Sequence, residues 1–469
     1  MVEFNEFIGV VNEFLYSKFL IAALMFVGLY FTIRTKFVQI RLLPDSFRVL
    51  TEKGAEGSIS SFQALMIATA SRVGTGNIAG VTTAIVLGGP GAVLWMWIMA
   101  IIGSASAFVE STLAQIYKEK DGSVFKGGPA YYIQRALGQR WLGVLFAIIL
   151  ILTFAFGFNG LQAYTLTSAF EHYVPNFNES YVPIIIGLIL AAFSAISFFG
   201  GSHLIGKISS LLVPVMATLY ILVGLIVFFR NLDGVGPAFK LMFDAAFDFK
   251  AIFGGFAGSC MVIGIKRGLF SNEAGMGSAP NAAASADVSH PVKQGLVQVL
   301  SVFIDTIVIC STTAFMALLA GPLGATDAKG ELLNGIPFVQ KALYSQFGEF
   351  GIHFVTICIV LFASTSLIGN YFYAEANMKF ITKNNWAMLA FKVAAVVMVF
   401  VGTQADLTTA WNVADVLMGL MATVNIIAML LLGGIAVKAL NNYMEQKKQG
   451  LDPKFKASDI GLNNTDCWK

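Results

Sequence analysis

Uncharged apolar runs long enough to cross a bilayer recur along nearly the whole chain, and no other feature narrows its fold as far. A helix needs roughly 20 apolar residues to span the hydrocarbon core. Such runs fall near 16–33, 58–87, 91–117, 141–170, 181–202, 208–229, 253–285, 292–320, 350–376, 386–404 and 408–437. Composition agrees: 57% of the 469 residues are hydrophobic and only 12% are charged, against about a quarter charged in soluble chains. The sequence therefore specifies an all-α polytopic membrane protein with about 11 transmembrane helices, given the roughly 20-residue requirement. Gaps between runs leave no room for a soluble domain. The first residues, MVEFNEFIGV, are acidic and lack a basic stretch, so no cleavable signal peptide is expected. The net charge of +3 says nothing about partners, and the four scattered cysteines have neither metal nor disulfide spacing.

Lysine and arginine set the expected orientation. Arg34, Lys36, Arg41, Arg48 and Lys53 follow the first run; Lys118, Lys120, Lys126, Arg135 and Arg140 follow the third. Lys379 and Lys383 follow the ninth, and Lys438, Lys447, Lys448 and Lys454 follow the last. With eleven runs these loops share one side, which is assigned to the cytoplasm. The N-terminus then lies outside and the C-terminus inside. Arg230, Lys240 and Lys250 in the loop after the sixth run are offset by Asp233, Asp244 and Asp248.

Two runs contain what lipid should forbid. The second is interrupted by "RVGTGN" (72–77) and the seventh by "KRGLFSNEAGMGSAPN" (266–281). A backbone group without a partner is costly in hydrocarbon. Interrupted segments at matching places in two halves point to an inverted-repeat transporter with its site at the breaks. They divide the chain into an N-terminal helix and loop (1–57), two five-helix repeats (58–230 and 231–440) and a tail (441–469). Unwinding at Gly74–Gly76 frees amides at the start of the second half-helix, which suit a carboxylate. It also frees carbonyls near Ala70 and Val73, which suit a small cation. The competing reading is a small-residue packing face, with Gly76 and Gly80 four apart.

"VGTGNIAGV" together with "RGLFSNEAGMGSAP" resembles the alanine or glycine:cation symporter family, and the span pattern matches over essentially the whole chain. The resemblance implies a leucine-transporter-like fold, with a 5+5 inverted repeat plus one extra helix, and sodium-coupled carriage of small amino acids. It implies carboxylate binding by the amides of Thr75 and Gly76. It also implies sodium contacts from the Ala70 and Val73 carbonyls, from Asn77, and from the hydroxyl pair Thr365-Ser366. Phe270, Asn272, Gly275 and Met276 would line the substrate, joined by Ser366, and Ser271 would stand with the sodium contacts. Met276 and Glu273 depart from the usual pattern of that second segment, which has a phenylalanine and a small polar residue there.

Other polar residues have two readings each. Asp305, about mid-span, is either a sodium ligand beside Asn77 and Ser271 or a structural hydrogen-bond acceptor. Glu110 is expected to satisfy freed amides of a break. Arg72, Lys266 and Arg267 are expected to pair with Glu110 or Glu273, with or without a gating role. Gln162 either touches the substrate or bridges helices; Tyr164 and Asn159 are weaker candidates. The four histidines lie near run ends and form no proton relay. The lysine-rich tail reads as a solvated end in weak contact with anionic lipid. No continuous polar stripe fits a channel, and neither a catalytic grouping nor a phosphate loop fits an enzyme or pump. The expected ligands are thus a small amino acid and sodium, with membrane lipid around the chain. No other cofactor, nucleic acid or obligate protein partner is expected. A proton-coupled carrier is the alternative, kept open by Asp305.

Overall fold

The apolar runs fold into helices in a computed structural model that describes residues 2–468 apart from 53, 55–57, 123, 249–258, 327–329 and 331. Among the described residues, eight helices are long and apolar enough to cross a membrane. They are Ala92–Ile116, Arg140–Tyr173, Val182–Gly201, Leu204–Arg230, Pro291–Ala320, Glu349–Ile381, Asn385–Gly402 and Leu407–Lys448. The other three expected spans are built from shorter helices end to end. The first joins Val2–Leu15 to Ile21–Arg34 through a π-turn. The other two are the interrupted runs. The expected start of the seventh run at 253, together with Lys53 and Lys250, lies outside the described residues.

Local chemistry places the joints. Gly201 (φ 79°, ψ 175°) lets Val182–Gly201 and Leu204–Arg230 meet, in a conformation open to glycine and strained for other residues. Asn384 accepts the Trp386 amide at the start of Asn385–Gly402, a side-chain N-cap. One element departs from the all-α expectation. The polar stretch after Ile116 forms a two-stranded antiparallel hairpin, Glu119–Asp121 with Val124–Lys126, turned at Gly122 (φ 65°).

The extra N-terminal helix packs on Leu407–Lys448 around a buried charge cluster. Arg267 Nη2 lies 2.5 Å from both oxygens of Asp415, and Lys266 Nζ lies 2.8 Å from one of them. Asn12 accepts from Lys266 at 3.0 Å, and the Tyr16 hydroxyl donates to the Asp415 carbonyl at 2.9 Å. Arg267 also sits 4.0 Å above the Trp411 ring. The expected pairing of Lys266 and Arg267 with Glu110 or Glu273 is therefore corrected: Asp415, two turns into the last span, takes both.

The tail is anchored at a few buried side chains, Tyr443, Phe455 and Trp468, while Lys448, Lys454 and Lys456 stay exposed, as expected of a solvated end. Trp468 is 7% exposed and donates its indole N–H to the Gln115 carbonyl. Lys118 lies over the rings of Phe125 and Trp468 and donates to the Ala286 carbonyl, and burial lowers its ammonium to about 8. Lys293 pairs with Glu52 (2.7 Å) and with tail Asp452 (2.9 Å), and Phe455 donates its amide to Ser289. Each contact lies beside the end of a broken helix, where Asp287 also donates its amide to Ile59.

Two outcomes follow from these contacts. Asp415→Ala leaves the buried Arg267 and the half-buried Lys266 unpaired, a loss of about 3–5 kcal/mol. Its thermal midpoint in detergent should fall well below wild type, and an unchanged midpoint would remove the cluster from the forces holding the N-terminal helix. Trp468→Ala should speed hydrogen exchange at the Phe455 and Ala457 amides at least about a hundredfold, given the about 3–5 kcal/mol cost of emptying a buried tryptophan site.

Candidate functional site

The first break is shorter than its glycines imply. Helix Ser61–Arg72 ends at Val73, whose φ/ψ of −79°/89° is not helical, and helical turns resume at Thr75. Four of the freed groups here, two amides and two carbonyls, have a side chain beside them. The Thr75 amide and hydroxyl both donate to Gln162 Oε1, at 3.0 and 2.5 Å. The Gly74 amide donates to Asn77 Oδ1 at 2.9 Å. Ser366 Oγ lies 3.0 Å from the Ala70 carbonyl and 3.3 Å from that of Val73. One hydroxyl proton can serve only one of those two carbonyls, so three oxygens converge on one point.

Glycine is required here by close approach. A Cβ at Gly74 would lie 2.2 Å from Ser366 Oγ, and one at Gly76 would lie 2.9 Å from Phe270 Cδ1 and 3.2 Å from Ser271 Cα. The first break therefore packs on the last turn of helix Cys260–Asn272, just ahead of the second. Phe270 is held edge-on by Phe158 on one side (4.7 Å between centroids) and Trp411 on the other (4.9 Å).

Behind Asn77 lies a second oxygen cluster. Because Asn77 Oδ1 accepts from Gly74, its Nδ2 faces Asp305 Oδ1 at 2.7 Å. Ser271 and Thr306 donate to Asp305 Oδ2, each at 2.8 Å. Thr313 donates to the Asn77 carbonyl at 2.6 Å and is itself within 2.7 Å of the Tyr220 hydroxyl. Asp305 is fully buried, and all its side-chain hydrogen-bond partners among the described residues are neutral.

The second break, 273–279, begins later than "KRGLFSN" implies, since helix Cys260–Asn272 runs through that motif. Glu273 (φ 55°), Gly275 (φ 87°) and Gly277 (φ 89°) turn the chain, and helix Pro280–Ser285 resumes it. Glu110 accepts the Gly275 amide at 3.2 Å and Asn425 Nδ2 at 2.7 Å, as expected of a carboxylate serving a break. Asn425 also donates to the Gly275 carbonyl at 2.9 Å. Glu273 ties the breaks together, with Ser71 Oγ at 2.8 Å from one oxygen and Ser278 donating to the other at 2.6 Å. Arg72 donates to Gln298 at 3.1 Å and forms no ion pair with Glu110 or Glu273.

The expected residues thus sort into groups. Ala70, Val73 and Ser366 meet at one point, Asn77, Ser271 and Asp305 at a second, and Thr75, Gly76, Gln162 and Phe270 around the space between. Asn272 is buried; its Oδ1 accepts the Ala274 amide, and its Nδ2 has no hydrogen-bond partner among the described residues. Gly275 is engaged by Glu110 and Asn425, and Met276 is buried in the same apolar core as Phe270. Thr365 stands apart: its hydroxyl turns back to the Leu361 and Phe362 carbonyls and to Met216. Thr306, Gln298, Asn425 and Asp415 were not singled out from sequence. Thr306 adjoins Asp305, and Asp415 is an acid inside an apolar run, so both carried a readable signal.

Comparison with known proteins shows the family of the chain. The sodium:alanine symporter family matches over residues 1–457. The amino-acid carrier protein AlsT of Bacillus subtilis is 45% identical over 99% of this chain and 98% of its own length. The probable sodium/glutamine symporter GlnT of the same organism is 46% identical, over 99% and 96%. The sodium/alanine symporter AgcS of Methanococcus maripaludis is 38% identical, over 95% and 99%. Among solved structures, MhsT in complex with L-phenylalanine aligns with a TM-score of 0.57 at 14% identity, covering 82% of this chain and 99% of that one, which shows a shared fold. With two interrupted helices meeting at a buried carboxylate and a family match along nearly its whole length, the chain belongs to the sodium:alanine symporter family.

Proposed function

We propose that this multi-pass amino-acid symporter couples import of small neutral amino acids, alanine and glycine, to sodium. The observation that carries the reading is Asp305, a buried carboxylate among neutral donors where the two interrupted helices meet. A carboxylate without a direct ion pair in that setting is costly, with Arg72 acting only from a distance, and a hard cation relieves it through oxygen ligands. Asp305 with the Ser271 and Thr306 hydroxyls forms one such ligand set, with Asn77 fixing the carboxylate's other oxygen. Ala70, Val73 and Ser366 form a second, neutral set. The name of the relative AgcS, a sodium/alanine symporter, agrees with this choice.

The amino acid would sit between the sets. Gln162 Oε1 holds the place on the Thr75 amide that a substrate carboxylate oxygen would take; turned by half a rotation, the same side chain presents its Nε2 as a donor. The Gly76 amide and the unpartnered Asn272 Nδ2 complete the polar contacts. Phe270, wedged between Phe158 and Trp411, walls the side-chain space, with Met276 and Gly275 beyond it. Each methylene that does not fit costs on the order of 1–3 kcal/mol. One helix bundle would rock against the other about this site, with the N-terminus outside and the tail in the cytoplasm.

Four measurements test the reading. In proteoliposomes, labelled alanine should accumulate on an inward sodium gradient and not on a proton gradient; accumulation on protons alone would assign Asp305 to the proton-coupled alternative. Asp305→Asn and Ser366→Ala should each raise the sodium concentration for half-maximal uptake at least about tenfold, equivalent to ~1.4 kcal/mol of lost ligation. Thr365→Ala, whose hydroxyl faces elsewhere, should leave it near wild type. Gly76→Ala, which overpacks against Phe270 at about 1–3 kcal/mol, should abolish uptake. Unlabelled glycine should compete with alanine and glutamine should not; effective competition by glutamine would move the substrate class toward that named for GlnT.

A further inference from the structure

Far from the breaks, the hairpin, helix Pro129–Leu137, the start of helix Arg140–Ile151 and the end of helix Glu349–Ile381 enclose a cavity of about 290 Å³. Four cations, Lys126, Arg140, Lys379 and Lys383, line it with the carboxylate Glu119, and Glu375 just outside pairs with Lys379 at 4.0 Å. Glu119 is already committed, since Arg135 Nε and Nη2 both donate to its Oε1 at 2.9 and 2.6 Å. The floor is aromatic: Tyr131 meets Phe380 edge-on at 4.9 Å, and the Arg140 guanidinium lies 5.2 Å over Phe380. No side chain caps the amides that open helix Arg140–Ile151, so the positive end of that helix adds to the field.

The depth of the cavity is marked independently. Trp141, next to Arg140, is 66% exposed, and Trp386, three residues beyond Lys383, is 78% exposed. Each opens a helix whose later residues present apolar side chains outward, Leu145 and Ile148 on one and Leu389 and Val393 on the other. Exposed tryptophans at helix ends lie at the level of lipid headgroups. A pocket whose Arg140 and Lys383 form no ion pair among the described residues, set between two of them, is built for an anion that sits at that level.

We infer that this cavity binds a phosphate group, supplied by the headgroup of an anionic phospholipid in the leaflet that faces the C-terminal tail. Arg140 and Lys383 hold the phosphate, Lys126 and Lys379 supply the surrounding field, and Trp141 packs along the glycerol and upper acyl chain. Occupancy would join the loop after Ala92–Ile116 to the end of Glu349–Ile381, two elements far apart in sequence. None of these side chains touches the residues at the breaks, so the site is separate from the transport reading.

The test uses the full chain, purified in detergent and offered dioleoyl phosphatidylglycerol, dioleoyl phosphatidylcholine or inorganic phosphate, with bound lipid counted by native mass spectrometry and stability followed by thermal unfolding. Phosphatidylglycerol should be retained at least about tenfold more tightly than phosphatidylcholine, and Arg140→Gln with Lys383→Gln should erase that preference. Trp141→Ala should weaken lipid retention while leaving any stabilisation by inorganic phosphate intact. Stabilisation by phosphate without lipid preference would uphold the phosphate site and overturn its lipid source. Equal retention of both lipids with no effect of phosphate overturns the inference, as does a phosphatidylglycerol preference that survives the double substitution. Arg140 and Lys383 are exposed, so the double variant should unfold in phosphatidylcholine at the wild-type temperature, which separates lost binding from lost fold.

Discussion

Hydrocarbon supplies no hydrogen bonds, so every amide and carbonyl that a broken helix releases must find its partner within the protein. The architecture around the two breaks is largely an answer to that demand. Gln162, Asn77 and Ser366 serve the first break, arriving from three directions: a neighbouring span, the break itself and a distant helix. Glu110 and Asn425 serve the second from two more. Helices distant in sequence are therefore pinned to one another through short polar side chains at a common depth. The close approach of Gly76 to Phe270 and Ser271 is what brings the two sets of partners together.

Charges in the same region are distributed unevenly. Lys266 and Arg267 share Asp415 in direct ion pairs, and that cluster locks the N-terminal helix to the last span. Among the described residues Arg72 hydrogen-bonds Gln298 and its charge reaches Glu110, Glu273 and Asp305 without a direct ion pair, while Glu110 and Glu273 are held by amides and hydroxyls. Asp305 likewise has neutral hydrogen-bond partners alone. A protein that needed only mechanical support at that point would be better served by an amide side chain, since burying a charge among dipoles costs free energy that burying a neutral group does not. The retained carboxylate is intelligible as one half of a pair whose other half arrives from solution.

Much of this was legible in the sequence, because membrane insertion writes a strong one-dimensional signal. The apolar runs, the two breaks and the role of Glu110 follow from hydropathy and from the cost of unpaired backbone groups. The limits of the breaks were not legible: glycines at 74 and 76 predict a longer unwinding than the single non-helical step at Val73 and Gly74, because tight packing against Ser366 and Phe270 also demands glycine. Partners drawn from far along the chain were equally hidden. That Asp415, and not Glu110 or Glu273, neutralises Lys266 depends on which helices become neighbours. The docking of Trp468 on Gln115 is of the same kind, for a lysine-rich tail carries no local sign of what it will cover.

The compactness of the first break has a mechanical consequence. Ala70, Val73, Gly74, Thr75 and Asn77 lie within eight residues, yet they reach Ser366, Gln162 and Asp305 on three different helices. Anything bound at one of these contacts alters the backbone position available to the others. Two ligands that share such a segment must influence each other's affinity, and by the same factor in both directions. Cooperation between cation and amino acid thus needs no long pathway through the protein. It needs a segment too short to adjust to one ligand without adjusting to the other, and Ala70–Asn77 is such a segment.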